Sequence, residues 1–160
     1  MSTLEMRDVI EGLKIEEASR EVLLEEIGGL VASLSDPAAR ARYRDLGEAV
    51  AVGMVSGGAI VTLEGLLEML LQTGRARWRH GPESERDLLR LFHRTPGGSA
   101  ARQATEAVNQ AVQELNGQVL QNLVFTPHGP GVFKLGIQTD HCKLALVIDS
   151  HGVSVESLEV

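Results

Sequence analysis

The chain has 160 residues, with a single cysteine, only three lysines, a single tryptophan and no long uncharged apolar run. The lone Cys142 excludes an intramolecular disulfide, and no basic segment leads into an apolar signal core near the start, so the reducing cytoplasm is the expected compartment. The longest uncharged apolar stretch runs from Ala49 to Leu63 and contains three glycines. It is shorter than the ~20 residues that span a bilayer, so no membrane insertion is expected and the stretch reads as buried helix or interface. A Ser-centred nucleophile elbow, a metalloprotease helix, a dinucleotide fingerprint and paired cysteines are also missing, which weakens the enzyme classes they announce. No cofactor is implied.

A chain of this length buries roughly two thirds of its unfolded surface, enough to fold as one domain without metal or disulfide. The expected domain spans residues 1–160, with a helical part over about 13–116 and a β part over about 118–160. The division rests on a change of hydrophobic period at Gly117. Before it, Ala104, Val108, Ala111 and Leu115 recur at helical steps; after it, Phe133, Leu135 and Ile137 alternate with Lys134, Gly136 and Gln138, and Cys142, Leu144, Leu146 and Ile148 form a second alternating set. The fold class is therefore α+β: four to five N-terminal helices packed on a C-terminal antiparallel meander of three to four strands.

Local signals place the elements. Val22, Leu23, Ile27, Leu30, Val31 and Leu34 mark a first helix, weakened by Gly28-Gly29. Asp36-Pro37 opens a second as N-cap and first helical residue, running toward Gly57-Gly58. Its later half is small-sided and suited to close backbone approach. A competing reading pairs Ala49–Val55 with Ala59–Leu63 as a hairpin across Ser56-Gly57-Gly58. Thr62 is the expected cap of a third helix with Leu63, Leu66, Leu67 and Leu70 inward, and Ser84-Glu85-Arg86-Asp87 resembles a capping box opening a fourth. Ser99 is the expected cap of the last helix. Turns at Pro127–Gly131, Thr139–His141 and Asp149–Gly152 separate the strands, and the segment before about Gly12 has little pattern.

Charge is unevenly spread over a net −7. Residues 1–34 carry eight acids against Arg7, Lys14 and Arg20, whereas residues 75–102 carry seven arginines against Glu83, Glu85 and Asp87. Arg75, Arg77, Trp78 and Arg79, with the stripe Arg86, Arg90 and Arg94, have the make-up of a nucleic-acid or phosphate surface, guanidinium groups neutralising phosphates while Trp78 stacks. The bland reading is that cations at a helix C-terminus complement its dipole and satisfy free carbonyls, and that Arg86, Arg90 and Arg94 form a solvated face or pair with acids of the first helix. Gly97, Gly98 and Ser99 open a helix between Arg94 and Arg102, the components of a small anion site, although turn plus cap explains each of them.

A third set is polar. The first and third turns of a meander lie at one end, which would gather His128, Asp149 and His151 into a metal or acid-base cluster, with His141 and Cys142 at the other end. Cys142 reads either as a reactive thiol beside His141 or as a small buried hydrophobe. By elimination the chain is expected to be a small non-catalytic interaction protein, an adaptor, regulatory subunit or small chaperone, that self-associates as a homodimer or binds a protein partner. The alternatives are a nucleic-acid- or anion-binding regulator using the arginine segment, and a small-ligand binder or enzyme with a pocket between sheet and helices.

Overall fold

The protein is described by a computed structural model over residues 12–160. Among these residues six helices precede a four-stranded antiparallel sheet, the α+β order read from the change of period. The segment before Gly12, which has little pattern in the sequence, lies outside the described residues. The chain divides into two compact units, residues 1–99 and 100–160.

In the first unit β1 (Leu13–Lys14) leads into α1 (Glu17–Ser33), α2 (Pro37–Val52), β2 (Met54–Val55), α3 (Gly58–Gln72), α4 (Arg75–His80), α5 (Pro82–Phe92) and the first turn of α6 (Pro96–Gln113). Its centre is α3, which packs against α2, α4 and α5. Leu63, Leu66, Leu67 and Leu70 on that helix are fully buried, together with Leu23, Leu46, Val50 and Leu88 from the surrounding helices. Each such side chain contributes about 1.5–3 kcal/mol of transfer free energy. As expected, Asp36 caps α2, its carboxylate accepting from Ala39 N–H at 3.0 Å. The close backbone approach expected of the small-sided stretch Ala49–Gly58 is not found: Gly57 and Gly58 face open space, and a Cβ at Gly53 would meet only the Arg20 guanidinium. Helix α2 comes close to its neighbour earlier, at Gly47, where a Cβ would stand 3.3 Å from Cγ2 of Ile27.

Three local expectations are corrected. The hairpin alternative does not form, because Gly53 turns left-handed (φ 87°) and ends α2, its N–H donating to the carbonyls of Ala49 and Val50. Met54-Val55 then pairs antiparallel with Leu13-Lys14, and residues 58–63 are helical. Thr62 consequently lies inside α3 and is not its cap; the apolar stripe begins earlier, at Ile60, which is buried. Ser84 likewise lies inside α5. That helix starts at Pro82, and the Ser84 hydroxyl donates to the His80 carbonyl at 3.0 Å.

The second unit comprises the rest of α6 with β3 (Leu120–Gly129), β4 (Val132–Thr139), β5 (Lys143–Asp149) and β6 (Gly152–Glu159), joined in sequence order as an antiparallel meander. The first turn is tighter than expected, since Pro127, His128 and Gly129 continue β3 and only Pro130-Gly131 remains as the connection. Gly131 supplies the positive φ, 71°. Register aligns three transverse rows on one face: Pro127, Phe133, Ile148 and Val153; Phe125, Leu135, Leu146 and Val155; Leu123, Ile137, Leu144 and Leu158. Helix α6 lays Val108 and Ala111, and the turn after it Leu115, against Leu135, Ile137, Leu144, Leu146 and Val155 in the middle of that face. Of the face predicted from Ala104, Val108, Ala111 and Leu115, the last three lie against the sheet.

Candidate functional site

Helix α1 carries a carboxylate on its buried stripe. Ser19, Leu23, Glu26 and Ile27 are its buried residues, at helical spacing, and the Glu26 side chain is only 2% exposed. Charged groups survive there only when paired. Helix α4 supplies the partners: Arg75 Nε lies 2.8 Å from Glu26 Oε2, His80 Nε2 lies 2.7 Å from Oε1, and Arg79 Nε lies 3.4 Å from Oε1. A second Arg79 nitrogen donates to Glu25 at 2.7 Å. Burial opposes ionisation of Glu26, but the hydrogen bonds from His80 and Arg75 and the charges of Arg75 and Arg79 outweigh it and hold the carboxyl below its ordinary range. The hydrogen bond to Glu25 raises the Arg79 guanidinium above its own ordinary value.

Two of the arginines expected to face phosphates are therefore turned toward acids of the first helix. The others are dispersed. Arg77 lies 3.9 Å from Glu85 and Arg90 lies 3.0 Å from Asp87, while Arg86, Arg94 and Arg102 are exposed. Trp78 is 71% exposed, with the Arg75 guanidinium 5.8 Å from its ring centre.

The expected anion site at the start of α6 contains an anion from the chain itself. Gly97 N–H donates to Glu64 Oε2 at 2.8 Å, and a Cβ at Gly97 would fall within 3.0 Å of that carboxylate. The cap is Thr95, not Ser99, because the helix already begins at Pro96. Fully buried Thr95 accepts from Gly98 N–H at 3.1 Å through its hydroxyl, and Ser99 N–H donates to the Thr95 carbonyl as the first helical bond. A Cβ at Gly98 would collide with the Phe92 carbonyl. Gly98 is thus required by packing against main chain, whereas at Gly97 the neighbour is the end of the flexible Glu64 side chain.

The polar turns remain separate. His151 Nδ1 lies 3.6 Å from Asp149, whose carboxylate also accepts from His151 N–H at 2.7 Å. His128 is exposed on β3, His141 sits 3.4 Å from Asp140, and among the described residues no group of three or more His, Cys, Asp or Glu is placed to hold a metal ion. Cys142 is buried, and its N–H donates to the Thr139 hydroxyl at 2.9 Å, closing the turn from β4 to β5.

The sheet carries several exposed apolar side chains. All ten residues of β3 are exposed, and on the face that carries α6 the helix leaves Leu123, Phe125, Phe133, Val153 and Leu158 in solvent. Phe125 and Phe133 stack with ring centres 5.5 Å apart. The opposite face bears an open groove of about 280 Å³ over Val124, Gly136 and Ala145, with Lys143 and Glu159 as its ionisable lining groups. This groove lies on the side of the sheet turned away from α6.

The chain matches no protein-family model, and no significant similarity links it to a curated protein or to a solved structure.

Function must therefore be argued from these surfaces. Glu25, Glu26 and Glu64 are not singled out among the sequence-based candidates, and His80 stands only as the end of the arginine-rich segment. Glu26 was detectable, for it stands three residues after Leu23 and one before Ile27, an acid on an apolar stripe, in a chain whose arginines cluster elsewhere. Nothing local marks Glu64 as a partner of Gly97, 33 residues away.

Proposed function

We propose that the chain is a small non-catalytic interaction protein, an adaptor, regulatory subunit or small chaperone, acting in the cytosol. The observation that carries this reading is the sheet surface on which Leu123, Phe125, Phe133, Val153 and Leu158 remain exposed beside an uncharged edge strand. Exposed apolar surface on a small unit, here including the stacked pair Phe125 and Phe133, is unfavourable in water and is relieved by a protein partner. None of these five side chains is needed to fill the small core beneath α6, where Ala111, Leu144 and Leu146 are buried.

The test is comparative capture from an extract of the source cells with wild-type chain and a Phe133→Ser/Val153→Ser variant, followed by titration of any recovered protein against both. Loss of binding by at least about tenfold in the variant supports the reading, since each truncation removes an apolar contact worth about 1 kcal/mol or more. Equal binding by both, or no recovered protein, counts against it.

The anion-binding alternative draws on exposed Trp78, Arg77, Arg86 and Arg94. It is weakened by the use of Arg75, Arg79 and Gly97 for the chain's own carboxylates. A steep loss of affinity with salt is the property that separates it from apolar docking.

A further inference from the structure

An edge strand offers a row of unpaired N–H and C=O groups, and stable proteins guard such edges with charge, bulges or short length. The two edges of this sheet differ in that respect. β6 carries Glu156 and Glu159, whereas β3, ten residues long, contains no Asp, Glu, Lys or Arg. In residues 100–160 the formal charges are Arg102, Lys134, Lys143, Glu106, Glu114, Asp140, Asp149, Glu156 and Glu159, and every one lies off β3. Two copies of a chain of charge −7 repel each other over most approaches, and β3 is the edge at which they meet without opposed charges.

We propose that a second copy of this chain pairs with β3, strand to antiparallel strand, about a two-fold axis normal to the sheet. This deepens the interaction reading above and rests on the same surface. The symmetry argument favours a copy as the occupant. Pairing β3 with β3 uses up both uncharged edges and closes, leaving the acidic β6 strands outermost, while pairing β3 with β6 would leave an edge free at each end and run on into a filament. The register irregularities of β3 against β4 lie at Leu120/Asn122 and Pro127/Gly129 and leave Asn122 to Pro127 regular. Paired residues on such an axis point to the same face, so their numbers sum to an even total. Centred on Val124, the axis sets Leu123 of each copy opposite Phe125 of the other and Asn122 opposite Thr126. Leu123 and Phe125, 57% and 58% exposed in the single chain, then cover each other as cross-strand pairs. Pro127 has no N–H to give and bounds the ladder at Thr126. The result is one eight-stranded sheet whose two apolar faces are continuous.

The test is the mass of the full chain by sedimentation at micromolar concentration, with edge variants. Wild type should run at about twice the chain mass of 17.2 kDa. Leu123→Lys should weaken self-association on the order of 100-fold, because the two-fold brings two like charges to adjacent places. Val124→Cys should cross-link under mild oxidation, its two copies facing each other across the axis, while Glu159→Cys should not. Glu159→Lys on the other edge should leave the dimer intact. A monomeric wild type overturns the proposal, as it would if the true occupant were an extended segment of another protein. So does a dimer indifferent to Leu123→Lys that fails to cross-link through Val124→Cys, a control independent of any folding defect caused by the lysine. Monomeric wild type with partner capture still sensitive to Phe133→Ser/Val153→Ser removes the dimer and leaves the interaction role standing.

Discussion

Burying a carboxylate takes it out of water, and Glu26 keeps its charge because Arg75, Arg79 and His80 all reach it from one short helix. Removing the acid leaves those groups facing each other with no counter-charge; Glu26→Ala should cost about 3 kcal/mol, the lower end of the usual 3–5 because water reaches the arginines. The pH dependence follows from the lowered carboxyl. A group whose folded pKa lies below its unfolded value stabilises fully above the unfolded value, and that stability is lost as pH falls through the folded one. With an ordinary value of 4.5, the Glu26 contribution should be intact at neutral pH and decline only below that value, as the carboxyl takes up its proton. Chemical denaturation of wild type and Glu26→Gln across acidic pH measures this: the wild type should lose stability more steeply below pH 4.5. Parallel curves would show that Glu26 is not the titrating group.

At the scale of elements, the first turn of α6 shows how a plausible site becomes a packing joint. Thr95, Pro96, Gly97 and Gly98 read as turn and anion loop, yet the turn is already helical and its N–H groups go to Thr95 and Glu64. Gly98→Ala places a methyl on the Phe92 carbonyl, where a rigid main chain cannot give way, so the helical unit should lose roughly 1–3 kcal/mol in thermal or chemical unfolding. Unchanged stability would mean that the two helices are not held this close. The same contrast explains what was legible. Apolar spacing found the inward leucines of α3, the face of α6 with the turn after it and the strands of the meander, because burial selects period directly. Cap positions at Thr62, Ser84 and Ser99 were misplaced, because Ser and Thr also satisfy themselves inside helices by bonding back to main chain, as Ser84 does to His80. An acid on an apolar stripe marks Glu26, but which arginine it meets is not legible, because the pair between residues 26 and 75 spans 49 positions.

At the scale of the whole molecule the asymmetry is between two cores. Among the described residues, fifteen buried side chains form the cluster of the helical unit and three form that of the sheet unit, so the latter has little burial of its own to resist opening. The boundary between residues 99 and 100 falls inside α6, where a continuous helix offers no break in composition, which is why a single period change at Gly117 was the visible landmark. A sheet with so small a core should show its edges in amide exchange. If β3 pairs with its copy, its amides gain partners and β6 does not, so at a concentration where the chain is dimeric β3 should exchange more slowly than β6. Dilution, or Leu123→Lys, should abolish the difference while leaving α3 protected, since its four fully buried leucines belong to the other core. Hydrogen exchange read by mass spectrometry over a dilution series tests this, and equal exchange of β3 and β6 at every concentration would show that neither edge is covered.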